Sequence, residues 1–358
     1  MSYDVAVIGG DGIGPEIVAE AQRVLQAALK QYGKSAEFTS CLAGGAAIDA
    51  VGHPLPKETL AAAHKADAVL LGAVGGPQWD TVEPELRAEK AILGLRQSLE
   101  LYANLRPIRV PAILAERSPL KAEKVTGVDI LIVRELSGGI YYGERQEGAV
   151  QDGVEQAFDK ESYSVPEIER ITRFAFRAAK LRRNKVTSVD KANVLATSRL
   201  WRRTVEKLAA TEPEIKVNHL YVDNCAMQLI LAPKQFDVIV TNNLFGDILS
   251  DEAAVIAGSI GMLPSASIGS GTGLYEPIHG SAPDIAGRGL ANPLGTILSA
   301  ALLLRYSLKE EAAACLIEAA VDKVLEEGYG TIDLVQSGMT QVTTSEMGRL
   351  VERQIGKI

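Results

Sequence analysis

The sequence predicts an α/β fold in which a mostly parallel sheet carries helices on both faces. Over the first seventy residues, short apolar runs typical of buried strands alternate with segments whose apolar residues follow a helical spacing. Strands separated by helices favour parallel pairing, because parallel neighbours need a crossover connection. The chain has 358 residues, more than one small core usually spans, so we expect two lobes.

The first lobe begins with signals for three strands and two helices. Strands are predicted over residues 5–8, 36–41 and 68–72, and helices over 16–32 and 57–65. The lobes are predicted to meet near positions 101 and 254. This division makes 1–101 and 255–358 a discontinuous first domain and 102–254 the second.

The middle and the end of the chain show different patterns. Residues 129–133 are a strong apolar strand, whereas 136–145 are rich in Gly and Tyr and favour a hairpin or protruding arm. A helix is predicted over 165–183, with Ser164 as its cap and Pro166 at its first position. The other predicted elements are strands at 186–189, 219–222 and 238–241, helices at 198–209 and 310–328, and Gly/Ser/Pro-rich loops over 258–293.

Composition and charge narrow the function classes. Apolar residues make up 47% and charged residues 23% of the chain, the balance of an ordinary globular enzyme. A net charge of −8 argues against nucleic acid or an anionic membrane as partner. The cysteines Cys41, Cys225 and Cys315 are scattered, which predicts reduced, buried thiols. Since neither an export signal nor a membrane-spanning stretch is visible, we expect a cytoplasmic protein.

The segment LFGDILSDE, residues 244–252, is the most informative stretch. It places Asp247 and Asp251 four residues apart where a helix is expected to open, so both carboxylates share one face. Like charges at that spacing repel unless a cation lies between them, and Mg²⁺ or Mn²⁺ prefers oxygen ligands. The alternative is a helix N-terminus whose dipole favours acids, to which Glu252 also belongs.

Residues 9–15, GGDGIGP, connect the first predicted strand to the first helix. They do not fit a dinucleotide fingerprint, because Pro15 stands where G-x-G-x-x-G needs glycine, and the chain has no G-K-[ST] of a P-loop. A Rossmann cofactor site is therefore disfavoured. A tight structural turn and a ligand-contacting loop both remain open.

Three arginines, Arg96, Arg106 and Arg134, lie near the ends of predicted elements. Arg134 directly follows the strand at 129–133, and the C-terminal end of a strand faces the crevice where open α/β sheets bind ligands. A guanidinium fork matches the geometry of a carboxylate. In an acidic protein the three therefore favour a carboxylate clamp over isolated surface residues.

Three further residues and one loop are candidates, although each alone favours a structural role. Lys191 follows a buried strand, where it could act as a base beside a metal, and Tyr141 lies in the predicted arm. Asp223, just past the strand at 219–222, could supply a third carboxylate. The loop at 276–287, EPIHGSAPDIAG, offers backbone amides, an imidazole and an aspartate that suit adenine and ribose.

Together these motifs resemble the isocitrate/isopropylmalate family of β-decarboxylating dehydrogenases over essentially the whole chain. The resemblance implies a two-domain α/β fold that is not a Rossmann fold, with a mixed sheet flanked by helices. It also implies a homodimer, a divalent metal and a site in the cleft between the domains. It rests on GDGIGPE at 10–16, GAVGGP at 72–77, LR at 95–96, RP at 106–107, VREL at 133–136, VDKANV at 189–194, FGDILSD at 245–251 and residues 276–284.

The resemblance implies a role for each candidate. The first domain would bind the cofactor, and the second would carry the dimer contacts, the arm, the metal and the catalytic residues. Lys191 would be the base and Tyr141 the acid, and the three arginines would hold the malate carboxylates. The metal, Mg²⁺ or Mn²⁺, would be ligated by Asp247 and Asp251 of one subunit and Asp223 of the other. The implied substrate contacts also include Asp223, Glu89, Ile92, Leu93 and Val194; the implied NAD contacts are Ile13, Gly76, Glu89, His279, Gly280, Ser281, Ala282, Asp284, Ile285 and Asn292.

The implied activity is NAD-dependent oxidative decarboxylation of 3-isopropylmalate to 2-oxoisocaproate and CO₂, a step of leucine biosynthesis. Ile92 and Leu93 offer apolar side chains to an isopropyl group, and Glu89 would repel a third carboxylate. Asp284 and Ile285 favour NAD, because NADP-dependent relatives are expected to carry Lys and Tyr there. The rivals are a tartrate or D-malate dehydrogenase of the same family, and a metal-dependent anion-binding protein without redox chemistry.

Overall fold

A computed structural model describes residues 1–358, apart from the side chain of Gln151, and the chain divides into two compact units. The first unit comprises Met1–Leu101, Pro111–Pro119 and Ala257–Ile358. The second comprises Tyr102–Val110 and Leu120–Ile256.

The regular elements alternate along most of the chain. The strands are β1 (Ser2–Gly10), β2 (Ser35–Cys41), β3 (Ala68–Ala73), β4 (Ala103–Arg109), β5 (Asp129–Glu135), β6 (Arg145–Gln151), β7 (Val154–Asp159), β8 (Lys185–Asp190), β9 (Lys216–Tyr221), β10 (Val238–Thr241), β11 (Pro264–Ile268), β12 (Gly273–Pro277), β13 (Tyr329–Gly330) and β14 (Thr340–Gln341). The α-helices are α1 (Gly14–Gln31), α2 (Gly45–Val51), α3 (Lys57–Lys65), α4 (Lys90–Ser98), α5 (Ala122–Val125), α6 (Val165–Lys180), α7 (Ala196–Ala209), α8 (Val222–Leu231), α9 (Asn243–Ile256), α10 (Leu294–Tyr306), α11 (Glu311–Glu326) and α12 (Thr344–Ile355).

In the first unit, β1 lies between β2 and β3 and pairs with both in parallel. β12 continues the parallel pairing beside β3, and β11 is antiparallel to β12. Helix α1 buries Ile17, Val24 and Leu25 and packs against α10, α11 and α12. The apolar spacing of its sequence thus becomes one buried face, as an amphipathic helix requires.

In the second unit, the strands follow the order β4-β5-β10-β8-β9. β4 is antiparallel to β5, and the other neighbours are parallel. Helix α6 begins after Ser164, the predicted cap, but its first residue is Val165, so that Pro166 is second and not first as predicted. Ser164 forms a capping box with Glu167, to whose carboxylate the Ser164 backbone N–H donates at 2.7 Å. Strands β6 and β7 form a separate antiparallel hairpin.

Three predicted elements differ from the structure. The loops predicted over 258–293 contain β11 and β12, whose short Gly- and Ser-containing sequences become strands through pairing in the sheet. The hairpin predicted at 136–145 is β6–β7 instead, because the chain turns after β5, where the Glu135 carboxylate accepts the N–H groups of Ser137 and Gly138. β9 ends at Tyr221 and α8 follows at once, so Asp223 lies in the first turn of a helix.

The cysteines also differ in part from the expectation. All three are free, but only Cys225 is buried; Cys41 is half-buried and Cys315 is exposed on α11. No helix in the part of the chain that the structure describes is long and apolar enough to cross a bilayer.

Candidate active site

Helix α9 carries Asp247, which is half-buried, and Asp251, which is exposed. The helix begins at Asn243 and buries Gly246, Leu249 and other small or apolar residues. The two aspartates therefore lie beyond the first turn, where the helix dipole no longer favours acids. The dipole alternative consequently loses its support for both residues.

Two buried arginines lie against these aspartates. Arg134 Nη1 is 2.5 Å from Asp247 Oδ1, and Arg106 Nη1 is 2.8 Å from Asp251 Oδ1. Arg106 also reaches Asp247 at 3.7 Å, so it bridges the pair. The side chains of Arg134 and Arg106 are only 4% and 10% exposed, whereas that of Asp251 is 65% exposed. The arginines thus offset the repulsion between the two acids.

The antiparallel register of β4 and β5 brings the two arginines together. Asn104 lies opposite Arg134, and Arg106 lies two residues further along β4, hence on the same face of the sheet. Asn104 Oδ1 and Ser250 Oγ accept from Arg106 at 3.0 and 2.9 Å, and Asn243 Oδ1 accepts from Arg134 Nε at 2.9 Å. Arg134 lies within β5, not after it as the sequence suggested.

Tyr141 joins the same group from the loop after β5. Its hydroxyl donates to Asp247 Oδ2 at 2.9 Å, and the Arg134 guanidinium lies 5.7 Å from the centre of its ring. Partial burial, and then the hydrogen bond to Asp247, raise the pKa of Tyr141. The phenol is therefore protonated at neutral pH and can act as a proton donor.

Lys191 and Asp223 form a second pair. Lys191 directly follows β8, as predicted, and its Nζ is 2.5 Å from Asp223 Oδ1. The hydrogen bond from Lys191 lowers the pKa of Asp223. Among the described residues, no three Asp, Glu, His or Cys side chains form a group that could hold a metal. Asp223 thus does not join Asp247 and Asp251 within one chain.

The predicted substrate contacts of the first unit lie on and beside α4. Arg96 Nη2 donates to Glu276 Oε1 at 2.9 Å, so this arginine is paired within its own unit. Glu89 precedes the helix and is exposed, Ile92 is half-buried and Leu93 is exposed. In the second unit, Val194 is also exposed. Ile92, Leu93 and Val194 therefore retain apolar surface that a ligand can cover.

Four of the predicted NAD contacts lie together in the first unit. The Ile13 N–H donates to the carbonyl of Ser281 at 2.8 Å, and the Ser281 hydroxyl donates to the carbonyl of Gly75 at 2.6 Å. Ile13 packs against Ala282 and Ile285. The turn at 9–15 is thus joined to the loop at 276–287, which favours the ligand-contacting role over an isolated structural turn.

His279 and Asn292 have different surroundings. His279 Nδ1 lies 3.0 Å from the Gly280 carbonyl, and its Nε2 is buried without a partner among the described residues. Burial lowers the pKa of this imidazole, so the ring is neutral. Asn292 donates to Asp333 at 3.0 Å and accepts the N–H of Leu294 at 3.0 Å, which gives it a structural role as well.

The remaining predicted NAD contacts lie at the surface of the first unit. Gly76 is half-buried before the 3₁₀ helix Pro77–Trp79, whereas Gly280 and Asp284 are exposed in the loop after β12. The exposure of Gly280 and Asp284 leaves room for a ligand.

Asp11 is a buried residue to which the sequence assigned no role. Its carboxylate accepts three backbone N–H groups: Gly45 at 2.8 Å, Ala46 at 2.7 Å and Gly75 at 2.7 Å. Gly10 and Gly12 on either side have φ of 72° and 56°, which glycine adopts without strain. No local sequence signal marks this role, because all three N–H donors belong to other segments of the chain.

Comparison with known proteins gives consistent matches. A model of the isocitrate/isopropylmalate dehydrogenase family matches residues 4–351. The chain is 59% identical over 354 residues to the 3-isopropylmalate dehydrogenase of Moorella thermoacetica, covering 99% of each chain. The structure resembles an isocitrate dehydrogenase from Methylococcus capsulatus, with a TM-score of 0.86, 35% identity and 99% coverage of both chains. It also resembles the apo form of a β-decarboxylating dehydrogenase from Thermococcus kodakarensis, with a TM-score of 0.82, 40% identity and coverage of 99% of this chain and 96% of that one.

These matches confirm the resemblance that the sequence motifs indicated and the predicted α/β class with a mixed sheet flanked by helices. They also confirm that the protein is an oxidoreductase of the dehydrogenase type. The chain belongs to the isocitrate/isopropylmalate dehydrogenase family.

Proposed function

We propose that the protein oxidises 3-isopropylmalate with NAD and decarboxylates it to 2-oxoisocaproate, also called 4-methyl-2-oxopentanoate, and CO₂ in leucine biosynthesis. The observation that carries this proposal is the group formed by Arg106, Arg134, Tyr141, Asp247 and Asp251 in the second unit. It combines cations for carboxylates, acids for a metal and a proton donor. The identity to a relative named 3-isopropylmalate dehydrogenase supports the choice of substrate.

The residues of this group fit a hard divalent cation. Asp247 and Asp251 offer carboxylate oxygens from one face of α9, and Mg²⁺ and Mn²⁺ prefer such ligands. Because no third acid joins them within the described chain, Asp223 of a second copy would complete the set. When bound, the metal supplies a Lewis acid that polarises the C2 hydroxyl and stabilises the charge developed during loss of CO₂.

The basic side chains have separate tasks in this reaction. Arg106 and Arg134 bind the carboxylates of the malate group, and Arg96 is a third candidate for this task. Lys191 would take the proton of the C2 hydroxyl, and NAD, when bound, would supply the acceptor for the C2 hydride. Tyr141 then protonates C3 of the enol that decarboxylation leaves. The support for its role is its hydroxyl on Asp247, in the midst of the arginines.

Substrate choice is assigned to the apolar side chains on α4. Covering an isopropyl group with Ile92 and Leu93 is worth about 1.5–3 kcal/mol by the scale for an aliphatic side chain. Val194 of a second copy would close this pocket. Glu89 repels the third carboxylate that isocitrate carries, so that isocitrate is disfavoured by charge as well as by lost apolar burial.

NAD is assigned to the first unit. The joined loops at 9–15 and 276–287 offer Ile13, Ser281, Ala282 and Ile285. The buried and unpartnered Nε2 of His279 offers a hydrogen-bonding position that the described residues leave unused. A polar atom of this kind in a cofactor loop fits an adenine nitrogen.

A homodimer is the assembly that this proposal requires. Helices α8 and α9 pack together, and their exposed apolar residues include Met227, Leu231, Ile248 and Val255. Those residues follow i, i+4 and i, i+7 spacings, which form a continuous stripe on each helix. We propose that a second copy covers this stripe and contributes Lys191 and Asp223, and that the enzyme works in the cytoplasm.

The test is the appearance of NADH when purified protein is mixed with NAD, Mn²⁺ and 3-isopropylmalate. D-malate, tartrate and isocitrate are the comparison substrates, and 3-isopropylmalate should be preferred. Treatment with EDTA should abolish turnover and Mn²⁺ should restore it. Unchanged turnover after EDTA would remove the metal from the proposal. Binding of the substrates without any NADH would leave the anion-binding alternative.

A further inference from the structure

We propose that Asn243 is a positioning residue that sets the orientation of Arg134 and of the loop carrying Tyr141 at the same time. The inference rests on the proposed function, in which Arg134 holds a substrate carboxylate and Tyr141 delivers a proton. Asn243 itself touches neither the substrate nor a reacting atom in this proposal.

Both the oxygen and the nitrogen of the Asn243 side-chain amide form hydrogen bonds. Its Oδ1 accepts from Arg134 Nε at 2.9 Å. Its Nδ2 donates to the carbonyls of Leu136 and Gly138 at 3.3 and 3.1 Å. The residue is 1% exposed, so water does not replace these bonds when they are lost. One planar side chain thereby joins the arginine to the loop that leads to Tyr141.

The surroundings of this amide are fixed from several sides. The Glu135 carboxylate accepts the Gly138 N–H at 2.9 Å, so the same peptide segment is held through both its N–H and its C=O groups. Gly246 allows α9 to approach Arg134, because a Cβ there would lie 2.6 Å from Arg134 Cγ. The guanidinium therefore has a defined plane, and Asn243 holds it through Nε.

Helix capping does not explain the side chain of Asn243. The backbone N–H of Phe245, in the first turn of α9, donates to Asn242 Oδ1 at 2.8 Å, so Asn242 provides the helix cap. The Asn243 backbone N–H donates to the Tyr163 hydroxyl at 3.0 Å. Two adjacent buried asparagines thus have different tasks: Asn242 holds the helix start, and Asn243 holds Arg134 and the loop that leads to Tyr141.

The expected effects of Asn243→Ala follow from its two sets of hydrogen bonds, to Arg134 and to the loop that leads to Tyr141. A guanidinium displaced by about 1 Å costs on the order of 10²-fold in a reaction that depends on its placement. We therefore expect the KM for 3-isopropylmalate to rise about ten- to a hundredfold by the same reasoning, while the KM for NAD stays unchanged. The effect on the loop that leads to Tyr141 is measured separately, as the rate at which the C3 hydrogens of 2-oxoisocaproate exchange with D₂O in the presence of Mg²⁺. This exchange reverses the Tyr141 proton transfer without hydride transfer, and it should slow.

Asn242→Ala is the matched control. It removes two hydrogen bonds of a buried amide one residue away, to the Phe245 N–H and to Glu161 Oε1. We expect both variants to lower the melting temperature, but we expect Asn242→Ala to leave the KM for 3-isopropylmalate and the C3 exchange unchanged. If both variants change the kinetics alike, local loss of order explains the result and the proposal is wrong. Should Asn243→Ala not fold, Asn243→Ser replaces it in the same comparison.

Double variants decide whether Asn243 acts through the two residues named. On an Arg134→Lys background, Asn243→Ala should add little to the rise in KM, and on a Tyr141→Phe background it should add little to the loss of exchange. Fully additive effects would overturn the proposal. Wild-type protein that does not turn over 3-isopropylmalate would refute the proposed function instead, so the two failures are distinguishable.

Discussion

Asp11 offers the sharpest test of how the first unit is held together. The residue is 3% exposed, and its carboxylate accepts three backbone N–H groups, one on Oδ1 from Ala46 and two on Oδ2 from Gly45 and Gly75. The variant Asp11→Asn keeps the size of the side chain but has one oxygen. If that oxygen faces the pair, the new NH₂ group faces the N–H of Ala46. At least one buried donor is then left without an acceptor.

The expected loss can be worked from these bonds. A buried donor without an acceptor costs about 1–3 kcal/mol, and loss of charge weakens the two bonds that remain. We therefore expect the free energy of unfolding to fall by about 2–4 kcal/mol, a large part of the roughly 5–15 kcal/mol of a typical domain. Because Gly75 belongs to the loop joined to Ser281 and Ile13, the KM for NAD should rise as well.

The assay is urea denaturation of the variant beside the wild type, together with KM values for both substrates. Asp49→Asn is the control, because Asp49 is exposed and accepts one bond, from Trp79 Nε1 at 3.0 Å. It should cost no more than about 0.5–1.5 kcal/mol and leave the KM for NAD unchanged. If Asp11→Asn is as stable as the wild type, or shifts only the KM for 3-isopropylmalate, the reasoning about this carboxylate is refuted.

Three further predictions concern the proposed dimer and cofactor. Inactive Lys191→Ala and Asp247→Asn chains should recover turnover when subunits are exchanged, because each mixed dimer carries one intact shared site; no recovery despite proven exchange contradicts sharing. Ile248→Glu should shift the mass measured by light scattering from dimer to monomer, since it places a charge in the proposed apolar interface. If the variant remains a stable dimer, the interface does not include this stripe. Wild-type enzyme should prefer NAD over NADP by about 10²-fold or more, and the double variant Asp284→Lys with Ile285→Tyr should erode that preference; equal kcat/KM for both cofactors in the wild type would show that this loop does not set the choice.

The elements with strong apolar periodicity were predictable from the sequence. α1 and α3 lie where the pattern placed them, because each buries one face, and β3 does so because its whole apolar run is buried. β11 and β12 were not predictable in this way. Each is five residues long, and their strand conformation depends on neighbours far along the chain. Local propensity carries no information about such pairing.

The same difference applies to the candidate site. The spacing of Asp247 and Asp251 predicts that they share a helix face, since that relation is local. Arg106 and Arg134 neutralise the two aspartates because β4 pairs with β5 and α9 packs against these strands. Neither relation can be inferred from a single segment of the sequence. The partners of Asp11 lie 34, 35 and 64 residues away, so its role was also hidden from the sequence.

The pairing of charges would let the proposed site accept both a dication and a dianion. Arg106 and Arg134 are paired with Asp251 and Asp247, so the buried guanidinium groups do not lack counter-ions. Each partner has a proposed ligand of opposite charge: the aspartates a metal, and the arginines the substrate carboxylates. If both ligands bind, pairs between the aspartates and the metal and between the arginines and the substrate would replace the pairs between arginine and aspartate. No buried charge would then be left unpaired, which would cost several kcal/mol. If the metal bound alone, it would compete with the arginines for the aspartates, and if the substrate bound alone, it would compete with the aspartates for the arginines. The arrangement therefore favours binding of the two ligands together.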